Sequence, residues 1–316
     1  MSILVEKAGI LTTIQDGGRF GYRSLGINVS GPMDPFAMQV ANILVGNKPD
    51  DAVIETHFPA AEIEFEADTH FAIAGAEMTA ILDDVPLRNW SSYRADRGQR
   101  LRFERPSFGS RSYIAIAGGF QTTDWLGSRA TNLAAKCGSF GRPLANGDRL
   151  EKHNICENSS SLTVSPWMLP RYNQFPTVRV LSGPEFHLLN EDAVNHLTNE
   201  NYTISNGSDR MGFRLEGEPL NCTGFGEMPS AAVTFGTIQL LPDGKLIILM
   251  ADHQTSGGYP RIATIAAVDL PLVGQLGAGD GVSFAMIDRE TAESLLIERY
   301  NDLEQLRRGV ALFGKK

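Results

Sequence analysis

The sequence predicts a mainly β protein built as two similar lobes with a few flanking helices. Short apolar or alternating runs separated by Gly/Asp turns predict many strands, and 32 of the 316 residues are glycine. Ile238-Gln239-Leu240-Leu241, then Pro242-Asp243-Gly244-Lys245, then Leu246-Ile247-Ile248-Leu249-Met250 reads as a hairpin whose loop carries Asp-Gly turn chemistry. A weak internal repeat supports two lobes. Arg97-Gly98-Gln99-Arg100-Leu101-Arg102-Phe103 resembles Ala278-Gly279-Asp280-Gly281-Val282-Ser283-Phe284, and Gly147-Asp148-Arg149-Leu150 is a shorter copy. Each is a Gly-led turn feeding a strand; the alternative is that Gly-Asp ahead of a strand is simply common.

Along the chain, Asp34 is a good N-cap and Pro35 suits the first helical position. The following helix presents Phe36, Val40, Ile43 and Leu44 on one face and stops at Gly46. Ile63-Glu64-Phe65-Glu66 alternates as a half-buried strand. Phe71-Ala72-Ile73-Ala74 and Tyr113-Ile114-Ala115-Ile116-Ala117 read as buried strands ending at Gly75 and Gly118-Gly119. The polar stretch from Glu157 through Ser161 to Pro176 marks the lobe boundary, so residues 1–165 form one lobe and 176–316 the other. A second helix is expected from Pro184 through Leu197. A third is expected from Arg289 to Arg308, where Leu295, Leu296, Tyr300, Leu303 and Leu306 recur at helical spacing.

The bulk numbers exclude several classes. A chain of 316 residues is long for one core and fits about two domains. Its 42% hydrophobic content argues against disorder. The net charge of -9 is spread along the chain without a Lys/Arg run, which argues against nucleic-acid or membrane-surface partners. The N-terminus lacks the layout of a signal peptide, and nowhere do about 18 apolar residues run together. Cys137, Cys156 and Cys222 are odd in number and widely spaced, which points to a reducing cytoplasm without disulfides or a zinc site.

Two Gly-framed polar segments, far apart in sequence, carry the candidate chemistry, and their likeness suggests one site built from two halves of the chain. In Asp16-Gly17-Gly18-Arg19 the glycines allow N–H groups to converge on an oxyanion, and Arg19 can clamp a carboxylate or phosphate. The alternative is a tight turn in which Asp16 and Arg19 pair. Asp34 either caps its helix or, behind Gly31-Pro32, helps set the helix start against an anion. In Ser208-Asp209-Arg210-Met211-Gly212-Phe213-Arg214-Leu215, a strand would place Arg210, Gly212 and Arg214 on one face, suited to an anion or else to surface ion pairs. Asp252-His253-Gln254 follows a wholly apolar strand and runs into Thr255-Ser256-Gly257-Gly258-Tyr259-Pro260. His253 suits a general base or is a plain turn residue, and Asp252 and Gln254 suit a substrate amide. There is no Gly-x-x-x-x-Gly-Lys-Ser/Thr loop, no Gly-x-Ser-x-Gly elbow, no His-Glu-x-x-His, and no Lys between two Met residues as covalent biotin would require.

Taken together, these blocks resemble one family. Thr13 to Gly21, Ser30-Gly31-Pro32-Met33-Asp34, Ala41 to Asn47, Ala74-Gly75-Ala76 and Ile116-Ala117-Gly118-Gly119 carry the likeness in the first half. Leu126-Gly127-Ser128-Arg129-Ala130-Thr131, Ser208 to Gly212, Gly236-Thr237-Ile238-Gln239 and Asp252 to Pro260 complete it. The chain is similar, from about residue 3 to 286, to the biotin-dependent carboxyltransferase family, also called allophanate hydrolase subunit 2. Its members include the 5-oxoprolinase C subunit, the regulator KipA and part of the carboxyltransferase domain of urea carboxylase. One departure is Ala231-Ala232, where many members carry an acidic residue and a glycine.

The resemblance implies two cyclophilin-like β-barrel lobes with the site between them. It implies part of a multi-subunit enzyme, working with a KipI-like 5-oxoprolinase B subunit and with the 5-oxoprolinase A subunit in ATP-dependent opening of 5-oxoproline to glutamate. ATP is then shared with the KipI-like partner, with no covalent biotin and no metal. The catalytic set expected from the residues is Asp16, Arg19, Asp252 and His253, and the binding set is Gly17, Gly18, Asp34, Arg210, Gln254, Gly257, Gly258 and Tyr259. The alternatives are carboxyl transfer from a biotinylated partner to urea or a similar amide, and a non-catalytic KipA-like regulator that binds a kinase inhibitor.

Overall fold

The computed structural model describes residues 2–153, 161–220 and 228–313; Cys156, Cys222 and most of the expected Glu157–Ser161 boundary lie outside them. The described chain is mainly β, with α-helices α1 (Pro35–Leu44), α2 (Glu191–Asn199), α3 (Leu270–Gly274) and α4 (Arg289–Phe313). It divides into two compact units. The first comprises residues 1–19, 30–171 and 300–316, and the second comprises 20–29 and 172–299. The glycine-rich N-terminal segment is therefore divided at the Arg19–Phe20 peptide bond.

In the first unit the strands form two sheets. The six-stranded sheet runs in space Arg149–Glu151, Ser2–Lys7, Glu62–Phe65, Arg100–Phe103, Ala80–Leu82, Val85–Leu87. The five-stranded sheet runs Leu11–Gln15, Val53–His57, Arg111–Ile116, Thr69–Gly75, Ser91–Ala95. Alternate residues of both sheets meet in one core that includes Ile3, Val5, Ile14, Ile54, Ile63, Phe65, Phe71, Leu101 and Ile114. Each such side chain contributes about 1.5–3 kcal/mol when fully buried. The Arg111–Ile116 strand is buried at every position because α1 covers its other face. A strand enclosed on both sides reads in sequence as a continuous apolar run, not an alternating one. Helix α1 follows its sequence signals: Asp34 Oδ1 accepts from Ala37 N–H at 2.9 Å, Pro35 opens the helix, and Gly46 follows the end at φ +77°.

The second unit holds a closed seven-stranded barrel in the order Thr177–Ser182, Arg261–Ile265, Thr237–Leu240, Leu246–Leu249, Gly212–Glu216, Tyr202–Ile204, Gly281–Met286. It closes through the parallel pair of Thr177–Ser182 with Gly281–Met286. The predicted hairpin is present, with Ile238 opposite Ile248 and Gln239 opposite Ile247. Helix α2 begins later than Pro184. Phe186–Leu188 forms one 3-10 turn, and Asn190 starts the α-helix by accepting from Ala193 N–H at 2.8 Å. A capping side chain with extended backbone fixes a helix start more firmly than apolar spacing does. Helix α4 runs beyond Arg308 to Phe313, and none of its residues is buried.

The internal repeat is a repeated turn. In Asp96–Gln99, Ala145–Asp148 and Gly277–Asp280 the third residue is a glycine at φ +92°, +90° and +88°. The fourth residue donates its N–H to the first residue's carbonyl at 3.1, 3.0 and 3.1 Å, as a β-turn with glycine at its third position requires. Its side chain (Gln99, Asp148, Asp280) in turn accepts the first residue's N–H at 2.9, 2.8 and 2.8 Å. The glycine N–H and the fourth carbonyl then clasp one buried apolar residue of a neighbouring strand: Phe65, Val5 and Ile204 respectively. The Gly-Gln/Asp pair is thus the whole device that starts three strands in register.

Candidate functional site

The residues singled out in sequence fall into two groups, one in each unit. In the first, Asp16 lies at the end of the Leu11–Gln15 strand and is 6% exposed. Its Oδ1 accepts from Gly18 N–H at 3.0 Å and from Ser128 Oγ–H at 2.6 Å, and its Oδ2 accepts from Arg129 N–H at 2.5 Å. Neutral donors therefore hold this carboxylate. The loop it gathers is a tight hairpin in which Trp125 and Ser128 exchange backbone hydrogen bonds across Leu126 and Gly127. The expected nest of glycine amides does not form. Gly17 N–H donates to Asp50 O at 3.2 Å and Gly18 N–H to Asp16, so both are spent within the turn. Gly17 is needed because a Cβ there would lie 2.8 Å from Asp50 Cβ, and Gly18 because its φ is +100°.

Arg19 is fully buried and does not pair with Asp16. Its Nε donates to Trp125 O at 2.9 Å, its Nη2 donates to Ala130 O at 3.0 Å, and its guanidinium carbon lies 4.7 Å from the centre of the Trp125 ring. Nη1 is buried without a hydrogen-bond partner, and among the described residues no carboxylate neutralises the charge. Carbonyl dipoles and a ring face stabilise this buried cation without neutralising it. Asp34 is completely buried and serves as the α1 cap, while its N–H donates to Tyr113 Oη at 2.8 Å. Tyr113 Oη–H donates to Glu55 Oε2 at 2.8 Å, and burial pushes the phenol well above its ordinary pKa. This network anchors the helix start.

In the second unit, the ladder between Gly212–Glu216 and Leu246–Leu249 continues past the strand ends. Met250 N–H donates to Met211 O, and Asp252 N–H donates to Arg210 O. That extension brings Arg210 and Asp252 side by side, both about 4% exposed. Arg210 Nε donates to Asp252 Oδ2 at 2.8 Å, and Nη2 donates to Oδ1 at 3.3 Å. Asn28 Nδ2 donates to the Asp252 carbonyl at 2.9 Å, and Arg23 Nη2 donates to Val233 O. His253 is 3% exposed, with Nδ1 at 2.5 Å from the Gln254 carbonyl. A carbonyl only accepts, so Nδ1 carries the proton and Nε2 keeps its lone pair. Burial, then the nearby Arg23 charge, lowers the pKa of this imidazole against the raising effects of Gln254 and Asp252. It is neutral at neutral pH and suited to accept a proton.

Gln254 and Tyr259 line a cleft of about 510 Å³ on the outer face of the barrel, within the usual range of small-molecule sites, about 300–1,000 Å³. Its floor follows from strand register. Arg214 lies opposite Ile247, and Ile247 opposite Gln239, so these three form one row across three strands while Phe213, Ile248 and Ile238 point into the core. Gly212 and Arg214 share this face as the strand alternation predicts, whereas Arg210 precedes the strand and turns to Asp252. Gly257 pairs with Ala231 in a two-stranded ribbon beside the cleft, and a Cβ on it would lie 2.7 Å from Gln239 Nε2. Gly258 follows, close to Met228 O. Sequence reasoning passed over Gln239; its signal was a single amide inside the apolar run Ile238-Gln239-Leu240-Leu241. It also passed over Ser128, whose role depends on Asp16, 112 residues away. Among the described residues no cluster of His, Cys, Asp or Glu could hold a metal ion, and no helix is long and apolar enough to cross a membrane.

Residues 25–286 match the family described as carboxyltransferase domain, subdomain A and B. The chain is 36% identical over 305 residues to the 5-oxoprolinase C subunit of Escherichia coli, covering 96% of each chain. It is 35% identical over 297 residues to the 5-oxoprolinase C subunit of Haemophilus influenzae, covering 94% of each. Among solved structures, the crystal structure of Kluyveromyces lactis urea carboxylase superimposes with a TM-score of 0.89 at 26% identity, over 96% of this chain but 29% of that one. The crystal structure of TTHA0988 superimposes with a TM-score of 0.82 at 30% identity, over 90% of this chain and 55% of that one. The chain thus spans about half of the second protein and under a third of the first.

Proposed function

This chain belongs to the carboxyltransferase domain family, subdomain A and B, and from that premise we propose that it is the C subunit of a multi-subunit 5-oxoprolinase. The complex opens the lactam of 5-oxo-L-proline by hydrolysis to L-glutamate, with ATP consumed and with the A and B subunits as partners in the cytoplasm. The observation that carries this reading is the end-to-end match: two proteins named as 5-oxoprolinase C subunits align over 94–96% of both chains. Urea carboxylase is matched over 29% of its length.

An amide resists hydrolysis because its nitrogen is a poor leaving group and its carbonyl a poor electrophile. ATP supplies activation of the lactam oxygen. The Gly17 and Gly18 amides, spent within their own turn, do not cradle a phosphate, so no phosphoryl-transfer step is assigned to this chain's residues. Its contribution is to hold the substrate and to move a proton. Asp16 fixes the loop that covers Arg19, a buried guanidinium with no carboxylate partner among the described residues. His253 Nε2 accepts a proton from attacking water, and the Asp252–Arg210 pair holds the adjoining backbone in place.

The test is ATP-dependent glutamate release from 5-oxoproline by this chain together with the A and B subunits. Omitting this chain is expected to abolish glutamate formation, and His253→Ala to lower turnover at least tenfold, about 1.4 kcal/mol of transition-state stabilisation. Full turnover without this chain would refute the assignment.

A further inference from the structure

The geometry points to the outer-face cleft of the second unit as a recognition site for a small molecule that joins a carboxylate to a cyclic amide. Arg214 anchors the carboxylate, and Gln239 and Gln254 read the amide edge. The choice of ligand rests on the 5-oxoprolinase reading of this chain; the site itself rests on the following geometry.

Arg214 and Gln239 flank Ile247 in one row across the barrel, two strand spacings apart, roughly 10 Å between backbones. Long side chains from both positions reach a ligand lying over Ile247. Arg214 forms no ion pair among the described residues. The acids at the cleft rim are turned to the backbone. Asp209 Oδ1 accepts from Met211 N–H at 2.8 Å, and Asp243 Oδ1 accepts from Lys245 N–H at 3.2 Å. The arginine is therefore available to a carboxylate, which it grips through two parallel N–H donors.

The amide-reading end is more deeply built. Gln239 is 1% exposed yet lines the cleft, and its one hydrogen bond among the described residues is from Nε2 to Tyr259 O at 3.3 Å. Its carbonyl oxygen is left without a donor. Gln254 lines the same cleft, and its carboxamide has no hydrogen-bond partner among the described residues. The ideal Cβ position of Gly257 lies 2.7 Å from Gln239 Nε2 and 3.4 Å from Gln254 Nε2, so two amide groups converge on space that only a glycine leaves open. The Gln239 carbonyl oxygen is open to the cleft, where a ligand N–H completes the carboxamide.

The chemistry selects the ligand. A lactam holds its N–H and C=O on the same side of the C–N bond, as a carboxamide does, so the two can pair edge to edge through two hydrogen bonds. A linear secondary amide is trans and presents these groups on opposite sides. A site built this way accepts a lactam carboxylate, rejects a ring without the carbonyl, and holds a lactam without the carboxylate only weakly.

The experiment has two arms. In the first, binding to the full chain is followed by ligand-observed NMR with 5-oxo-L-proline, L-proline, 2-pyrrolidinone and N-acetylglycine. 5-Oxoproline is expected to bind at least tenfold more tightly than the other three, and Arg214→Ala to remove its advantage over 2-pyrrolidinone. In the second, KM for 5-oxoproline is measured in the assembled complex. Gln254→Ala and Arg214→Ala are each expected to raise KM at least tenfold with kcat kept within threefold, and Gly257→Ala to do the same by displacing the Gln239 amide. Unchanged KM in Arg214→Ala and Gln254→Ala complexes that still turn over would overturn the cleft assignment and leave the 5-oxoprolinase reading intact. A complex that makes no glutamate with wild-type chain, while the isolated chain binds the lactam carboxylate through Arg214, would refute the 5-oxoprolinase reading and uphold the cleft. Equal binding of all four ligands overturns the cleft assignment in either case.

Discussion

Two regions use the same ingredients, a buried aspartate and a buried arginine framed by glycines, and hold them in opposite electrostatic states. Around residues 16–19 the charges are kept apart: Asp16 is satisfied by a hydroxyl and two backbone N–H groups, and Arg19 by two carbonyls and a tryptophan face. Around residue 252 they are joined, with the Asp252 carboxylate and the Arg210 guanidinium neutralising each other through two contacts. A joined pair is structural cement, since removing either partner strands a charge in a poorly solvating interior. A cation without a counter-ion among the described residues is costly to the fold and keeps its charge unspent. The difference teaches that composition marks where chemistry is possible, while pairing decides which residue has charge left to use.

Mutations can break this contrast. The largest effect is expected from Asp252→Ala, which breaks a buried ion pair; a loss of about 3–5 kcal/mol in denaturant unfolding follows. The companion change Arg210→Met in the same chain should recover part of that loss. An Asp252→Ala variant as stable as wild type would show that the pair is not cement. Asp16→Ala should cost less, about 1–3 kcal/mol, because it orphans neutral donors from Gly18, Ser128 and Arg129 instead of a charge. Proteolysis within the 124–129 loop should rise with it.

Arg19→Met should be milder still for stability, within about 1 kcal/mol, since two lost hydrogen bonds are offset by removal of a buried, unneutralised charge. A loss as large as that of Asp252→Ala would mean that Arg19 is structural and would erase the contrast. The smallest effect concerns pH. His57 and His253 both have pKa values lowered from 6.5, first by burial, with Arg111 and Arg23 adding to the effect. Their unfolded forms bind protons more readily than their folded forms. The stability they contribute is therefore complete above about pH 6.5 and is lost as pH falls through the folded values. Chemical denaturation at pH 7.5 and 5 should show this decline, and His57→Gln with His253→Gln should flatten it.

Much of the scaffold was legible because it is written in local signals. The Asp34-Pro35 helix start and the Gly98, Gly147 and Gly279 turns each depend on residues within four positions of one another, and the 238–249 hairpin pairs residues no more than ten apart. The helix expected from Pro184 started late because the cap at Asn190 outweighed an apolar pattern that began earlier. Helix α4 kept its predicted periodicity, yet its apolar positions stay unburied, with Leu296 47% and Tyr300 64% exposed. Periodicity reports a stripe, and nothing in it states what lies against the stripe.

Sequence alone therefore determined the mainly β class, the family, the capped helix, the repeated turn and the residue types of both polar segments, because these rest on short-range sterics and hydrogen bonding. Tertiary structure alone decided that Asp252 belongs to Arg210, that Asp16 belongs to Ser128 and Arg129, that Arg19 is left with an unsatisfied nitrogen, and that Arg214 and Gln239 share one row. Partners 42 or 112 residues apart are chosen by strand register and burial, and the energy of a charge depends on what the fold places within hydrogen-bond reach of it.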